Sequence, residues 1–202
     1  MRLFWDTETT GMPDWRAPSN AEHQPHLVQL AMIQADAPGP GRECQMIIRP
    51  DGWVISPEVA KIHGITHERA MDEGIAEADA VDFYVNAVAA VAMRVAHNAA
   101  FDDRIMRIAM LRHGHTRDAI EVMEARPCYC TCKVATKVLN LPPTEKMVKA
   151  GFNRAKQANL TECIHHFFGE KLDGAHDAMI DARACARVYW HLQGLASAGA
   201  AA

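Results

Sequence analysis

Apolar and polar positions divide the chain into runs of two periods. Leu3, Phe4 and Trp5 form a short apolar run that Gly11 closes, which predicts a buried strand over 2–11. Residues 26–35 (HLVQLAMIQA) alternate as a second strand, and 44–49 form a third. Pro38-Gly39-Pro40-Gly41 turns between those two, so the three read as an antiparallel meander. Residues 12–26, with Pro13, Pro18 and Pro25 among polar neighbours, read as a loop.

Helical signals follow. Ser56 is a candidate N-cap with Pro57 at the first helical position, so 57–63 predicts a short helix ended by Gly64, and Thr66 caps another. An alanine-rich helix is expected over 76–92, a strand over 93–97 and a helix over 100–112, stopped by Gly114. A helix over 118–125, a strand over 127–131 and a helix from Cys132 to Leu139 come next, the last broken by Pro142-Pro143. Helices over 160–168 and 177–192 complete the pattern, with an α/β arrangement of five strands. Residues 1–193 read as one domain, and the Ala-rich stretch 194–202 as a flexible tail.

Composition adds bounds. The chain has 202 residues, 49% of them hydrophobic, enough to bury a full core. It has no 18-residue apolar run and no charged segment leading into an apolar signal core, which predicts a soluble, cytoplasmic protein. Six cysteines in a chain of this length predict reduced thiols. A net charge of −4 argues against a broad non-specific nucleic-acid binder, but not against an enzyme holding a few nucleotides through metals.

The chemistry starts at the end of the first strand. Side chains alternate faces in a strand, so Asp6 and Glu8 place two carboxylates on one face. Two like charges there are either solvated acids or the start of a site for a divalent cation such as Mg²⁺ or Mn²⁺. Farther on, His97-Asn98-Ala99-Ala100-Phe101-Asp102 follows an apolar run, and His176-Asp177-Ala178-Met179-Ile180-Asp181 opens the last helix. Inside one helix His176 and Asp181 would point about 140° apart. Both reach one site if His176 precedes the helix, after the Asp173-Gly174 turn, and Asp181 lies on its first or second turn.

D-x-E, then H-N-x-x-F-D, then H-x-A-x-x-D, in that order, resembles the three motifs of the DEDDh (DnaQ-like) 3′-to-5′ exonucleases. That family includes the proofreading epsilon subunit of bacterial replicases, ribonuclease T and the TREX-type DNA exonucleases. The resemblance spans about residues 2–192 and implies a ribonuclease H-like fold, a central five-stranded mixed sheet with helices on both faces, which the strand and helix order also fits. It implies that Asp6, Glu8 and Asp181 bind one metal, that Asp6 bridges to a second supported by Asp102, and that His176 is the general base. The implied cofactors are two Mg²⁺ or Mn²⁺ ions. The implied reaction releases nucleoside 5′-monophosphates from single-stranded or frayed DNA 3′ ends. An exoribonuclease with the same chemistry and a catalytically silent nucleic-acid-binding module are the alternatives. A DNA polymerase partner is not readable, and no clamp-binding segment is recognisable in the tail.

The resemblance also implies substrate contacts at Thr9, Met12, His63 and Asn98. Met12 is otherwise a core residue, and His63 otherwise a capping histidine at its helix end. Asp103 stands beside Asp102 and is open to the same role, while Phe101 reads as core and Asp177 as a helix-capping or surface acid. Cys128, Cys130 and Cys132 stand where many relatives carry a D-T pair. They are expected to share one strand face as buried thiols, because no further ligands close a tetrahedral zinc site. Lys146, Lys149, Arg154 and Lys156 form a basic cluster that is either a solvated face or an edge that tracks phosphates.

Overall fold

The computed structural model describes residues 1–200. Its frame is one five-stranded sheet in the order β3-β2-β1-β4-β5. Strand β1 (Arg2–Thr9) lies at the centre, antiparallel to β2 (Leu27–Ala35) and parallel to β4 (Met93–Ala96). Strand β3 (Arg42–Ile47) extends the antiparallel side, and β5 (Cys128–Cys130) runs parallel to β4. The sheet is mixed, as expected. The third strand ends at Ile47 because Ile48 bridges in parallel to Ile75, whose carbonyl accepts the Arg49 amide at 2.8 Å.

The two faces of β1 seed two cores. Leu3 and Trp5 face a layer built by α3 (Glu77–Ala89), α4 (Ala99–Arg112) and α5 (Arg117–Glu124), with Tyr84, Met106 and Ile120 buried among them. Phe4 faces α6 (Thr131–Leu139), α8 (Leu160–Phe168) and α9 (Ala178–Ala200), whose Ala135, Ile164 and Val188 are buried. Burying one aliphatic or aromatic side chain contributes about 1.5–3 kcal/mol, so the two cores hold the strand in place from both sides. The short α1 (Pro57–His63) and α2 (His67–Glu73) begin at Ser56 and Thr66, whose hydroxyls accept the Val59 and Arg69 amides.

The structure adds to or departs from the sequence pattern in three places. Residues Glu145–Lys149 form a further helix, α7, capped by the Thr144 hydroxyl on the Met147 amide; at five residues it carries no periodic signal. The last helix runs to Ala200 rather than Leu192, so the stretch read as a flexible tail from 194 is helical as far as described, in keeping with alanine's helix propensity. Residues 201–202 lie outside the described residues. Cys128 is exposed and Cys132 belongs to α6, so the three cysteines do not share a strand face and are not uniformly buried. Among the described residues no helix is long and apolar enough to cross a membrane.

The loop 12–26 is tied down by α4. Arg104 Nη2 donates to the carbonyls of Asp14 and Ala17 at 3.1 and 2.6 Å, and Arg112 Nη2 to those of Gln24 and Pro25, both at 3.1 Å. This fixes both ends of the loop that follows β1.

Candidate active site

The β1–β2 register shifts between Glu8 and Thr9, an irregularity that re-aims the strand end. Asp6 and Glu8 follow Phe4 onto the α9 side, while Thr7 turns toward α4. The Thr7 amide and hydroxyl both donate to Oδ1 of Asp102, at 3.1 and 2.8 Å. One carboxylate oxygen is thereby fixed and the other left for the cavity. Asp103 points away and pairs with the buried guanidinium of Arg94. Of the two adjacent acids, Asp102 is the one on the cavity wall.

Helix α9 supplies the next pair. His176 sits before it in the left-handed region, φ 71°, and its amide donates to Asp181 Oδ2 at 3.0 Å. Asp177 Oδ1 accepts the Met179 and Ile180 amides, so it is the helix-capping acid expected. Gln29 of β2 accepts the Ala178 amide at 3.0 Å, tying the helix start to the sheet. His176 is exposed and Asp181, on the first turn, is buried.

Glu8, His176 and Asp181 each offer a ligand atom within 4.8 Å of the others. Asp6 and Asp102 line the same cavity, of about 470 Å³, and no lysine or arginine does. Burial and the charges of Asp102, Asp181 and Glu8 push Asp6 well above the usual carboxylate range. Burial, with Asp181 and Asp102, pushes Glu8 up to about 8. Burial also raises Asp102 to about 8 against the lowering effect of the Thr7 hydrogen bond, and it raises Asp181. Asp181 Oδ1 is buried without a hydrogen-bond partner. Four crowded carboxyls, one orphan oxygen and no lysine or arginine on the wall are the donor set of a divalent cation with oxygen ligands.

The remaining lining is mostly apolar. Met12 is 75% exposed at the cavity rim, which excludes a core role, and Ile62 is 57% exposed beside it. Thr9 Oγ1 donates to the Gly11 carbonyl at 2.7 Å and shapes the turn. His63 is buried at the wall; its Nδ1 accepts the Ile65 amide at 3.1 Å, so Nε2 carries the proton, and that atom has no partner. It therefore caps its helix end, and the residue forms part of the cavity wall. Asn98, the N-cap of α4 in a left-handed conformation, makes no side-chain cap bond and lines the cavity. Phe101 lines the cavity too, although it also packs on the core.

His97 is less available. Nε2 meets the Ala158 carbonyl at 2.9 Å and must donate to it; Nδ1 then accepts from the Thr131 hydroxyl at 2.9 Å. Burial pushes its pKa down to about 4, so the ring is neutral near pH 7. It joins the sheet to the segment that leads into α8. That segment brings Asn159, Leu160 and Thr161 to the cavity, residues the sequence reading missed. Their signal was the capping box, in which Asn159 accepts the Glu162 amide at 2.8 Å and Glu162 accepts that of Asn159 at 3.0 Å.

The exonuclease family, of RNase T type, matches residues 3–189. No curated relative matches the chain by sequence. Among solved structures, Escherichia coli exonuclease I in complex with a dT13 oligonucleotide is 21% identical, with a TM-score of 0.72 over 95% of this chain. The zinc-bound E. coli exonuclease I–ssDNA complex is 20% identical, with a TM-score of 0.72 over 96%. A product-bound exonuclease I is 19% identical, with a TM-score of 0.72 over 96%. The chain spans 40% of the first two proteins and 43% of the third. At these identities the likeness is one of fold.

Proposed function

The chain belongs to the exonuclease family, and from that premise we propose that it is a metal-dependent 3′-to-5′ exonuclease of the DEDDh type. It hydrolyses phosphodiester bonds from the 3′ end of single-stranded or frayed DNA and releases nucleoside 5′-monophosphates. The observation that carries this reading is the convergence of Asp6, Glu8, Asp102 and Asp181 on one cavity that no lysine or arginine lines, with His176 at its mouth.

Asp6, Glu8 and Asp181 would hold one Mg²⁺ or Mn²⁺, and Asp6 with Asp102 a second. When bound, such ions acidify the attacking water and stabilise charge on the phosphate oxygens. The protein's own part is positioning and proton transfer. His176, exposed and outside the helix, accepts the proton of the attacking water at a ring nitrogen, a contribution typically of about 10²–10⁴. Its backbone amide meanwhile holds Asp181. Thr7 holds Asp102 in the same way from the other side of the sheet. Met12 and Ile62 offer apolar surface to the terminal bases, the Thr9 backbone and His63 form the wall beside the terminal sugar, and Asn98 meets the strand as it leaves. The oligonucleotide complexes of exonuclease I, a relative in fold, support DNA as the substrate.

The test is digestion of a 5′-labelled single-stranded DNA and of its RNA counterpart with Mg²⁺ or Mn²⁺, beside Asp6→Ala and EDTA controls. A ladder shortening from the 3′ end of DNA, absent in both controls, is the expected result. A ladder on RNA alone overturns the substrate but keeps the site. If neither is cut although oligonucleotide binds, the chain is a silent binding module.

A further inference from the structure

The chain is acidic overall, with a net charge of −4, yet its cations are unevenly distributed. Residues 131–158, between β5 and α8, hold six lysines and arginines against a single acid, Glu145. Lys156 is spent on Glu162 of the capping box. Lys146, Lys149 and Arg154 are exposed, and none of the three is in a salt bridge with a described residue. Between them stands Phe152, an aromatic ring 52% exposed, with the Arg154 guanidinium over it at 5.5 Å. A surface ring under a guanidinium, flanked by unpaired cations, is the equipment of a surface that stacks a base and neutralises phosphates.

This segment is fastened to the cavity. The Ala158 carbonyl accepts His97 Nε2–H at 2.9 Å and its amide donates to Thr136 at 3.0 Å, so the chain enters Asn159–Thr161 of the cavity wall from a fixed point. The Phe152 amide donates to the Met147 carbonyl at 2.9 Å and the Lys156 amide to that of Leu141 at 3.0 Å, which folds the rest back on α7 and α6. Arg154 is five residues from Asn159, at most about 17 Å even if the chain is fully extended. A strand whose end is in the cavity therefore has cations and a stacking ring within a few nucleotides of its exit.

We propose that Lys146, Lys149, Phe152 and Arg154 form a track for the single strand upstream of the scissile end, with Phe152 stacking a base and the three cations meeting phosphates. The proposal rests on the nuclease reading above and adds the source of affinity for long substrates, which the acidic cavity itself cannot supply. Single-strand binding through three phosphate contacts contributes a slope of about −2 to log K against log salt.

The test measures binding of fluorescent dT4 and dT20 in EDTA at several NaCl concentrations. The proteins are wild type, the Lys146→Gln/Lys149→Gln/Arg154→Gln triple variant, Phe152→Ala, and Arg117→Gln as a control on α5. All these residues are exposed, and circular dichroism checks that each variant is folded. The expected result is a loss of about tenfold or more in dT20 affinity and a shallower salt slope, by about 2, for the triple variant. Phe152→Ala loses at least about fivefold on dT20. Binding of dT4, and dT20 binding by Arg117→Gln, stay unchanged. Equal dT20 affinity and slope in the triple variant and wild type overturn the track. Because binding is read in EDTA, its outcome is independent of the Mg²⁺ digestion, whose failure would overturn the nuclease reading alone.

Discussion

Thr7 and Asp102, 95 residues apart, share two hydrogen bonds at a single oxygen: the Thr7 amide and hydroxyl both end on Asp102 Oδ1. Strand β1 thus sets the orientation of a carboxyl carried by α4. Partners that orient a metal-binding group typically matter by about 10- to 100-fold in metal affinity or activity. Thr7→Val keeps the shape and the amide bond but loses the hydroxyl. It is expected to lower kcat by about tenfold and to raise the Mg²⁺ concentration needed for half-maximal rate, with little loss of fold. Metal titration of the rate checks this. A variant with wild-type metal dependence would show that the hydroxyl only packs.

Four carboxyls crowded without a cation repel one another, so the site works against the metal-free fold. Asp6→Asn removes the acid that the other three press hardest upon. In EDTA at pH 8 the variant should melt higher than wild type, and Mg²⁺ or Mn²⁺ should raise the melting temperature of wild type only. Since protons compete with the metal for these groups, the wild-type increment should grow from pH 6 to 8. Melting curves in EDTA and in metal test both halves. A variant that melts lower in EDTA would mean that Asp6 is a structural acid.

Away from the site, Glu77 is buried at the start of α3 and receives His26, Arg112, His113 and the Leu27 amide. Burial raises its pKa, but these partners outweigh it and bring the value down from 4.5 to about 2. The folded state therefore holds the carboxylate where the unfolded chain has begun to take a proton. Its stabilisation is fully present above about pH 4.5 and is lost as pH falls toward 2. A shift of about 2.5 units corresponds to about 3 kcal/mol. Urea unfolding of wild type at pH 7 and 3 should show a loss of about 2 kcal/mol from this group, the rest going below pH 3, and Glu77→Gln should lose much of the full amount already at pH 7. A Glu77→Gln variant as stable as wild type at pH 7 would refute the account.

The sequence marked these residues unequally, for physical reasons. Asp6 and Glu8 were legible as a pair because a strand places positions two apart on one face, while Asp181 was marked by the family's third motif. The choice of Asp102 over Asp103 rested on the family pattern; its structural cause, the buried Arg94 that takes Asp103, is a contact with another strand. Asn159 and Thr161 stayed hidden because they reach the cavity only through the fold of 141–158. Cys128 was misread because its exposure depends on where β5 ends, which three residues of apolar pattern do not define.

His176 holds a conformation that side chains other than glycine rarely adopt, φ 71°, at a cost of about 1 kcal/mol or more. The position needs the backbone bend for its amide to reach Asp181, and the proposed chemistry needs the imidazole. The two demands separate under substitution. His176→Gly keeps the bend and the amide at no steric cost, so it should be as stable as wild type or more so, by up to about 1 kcal/mol, while losing about 10²–10⁴ in kcat. His176→Ala keeps the strain, loses the ring and should melt below His176→Gly with the same low rate. If imidazole added to the solution restores part of the His176→Gly rate, the missing group is the proton acceptor. Wild-type kcat in His176→Gly would remove His176 from the reaction and leave it as a backbone bend that positions Asp181.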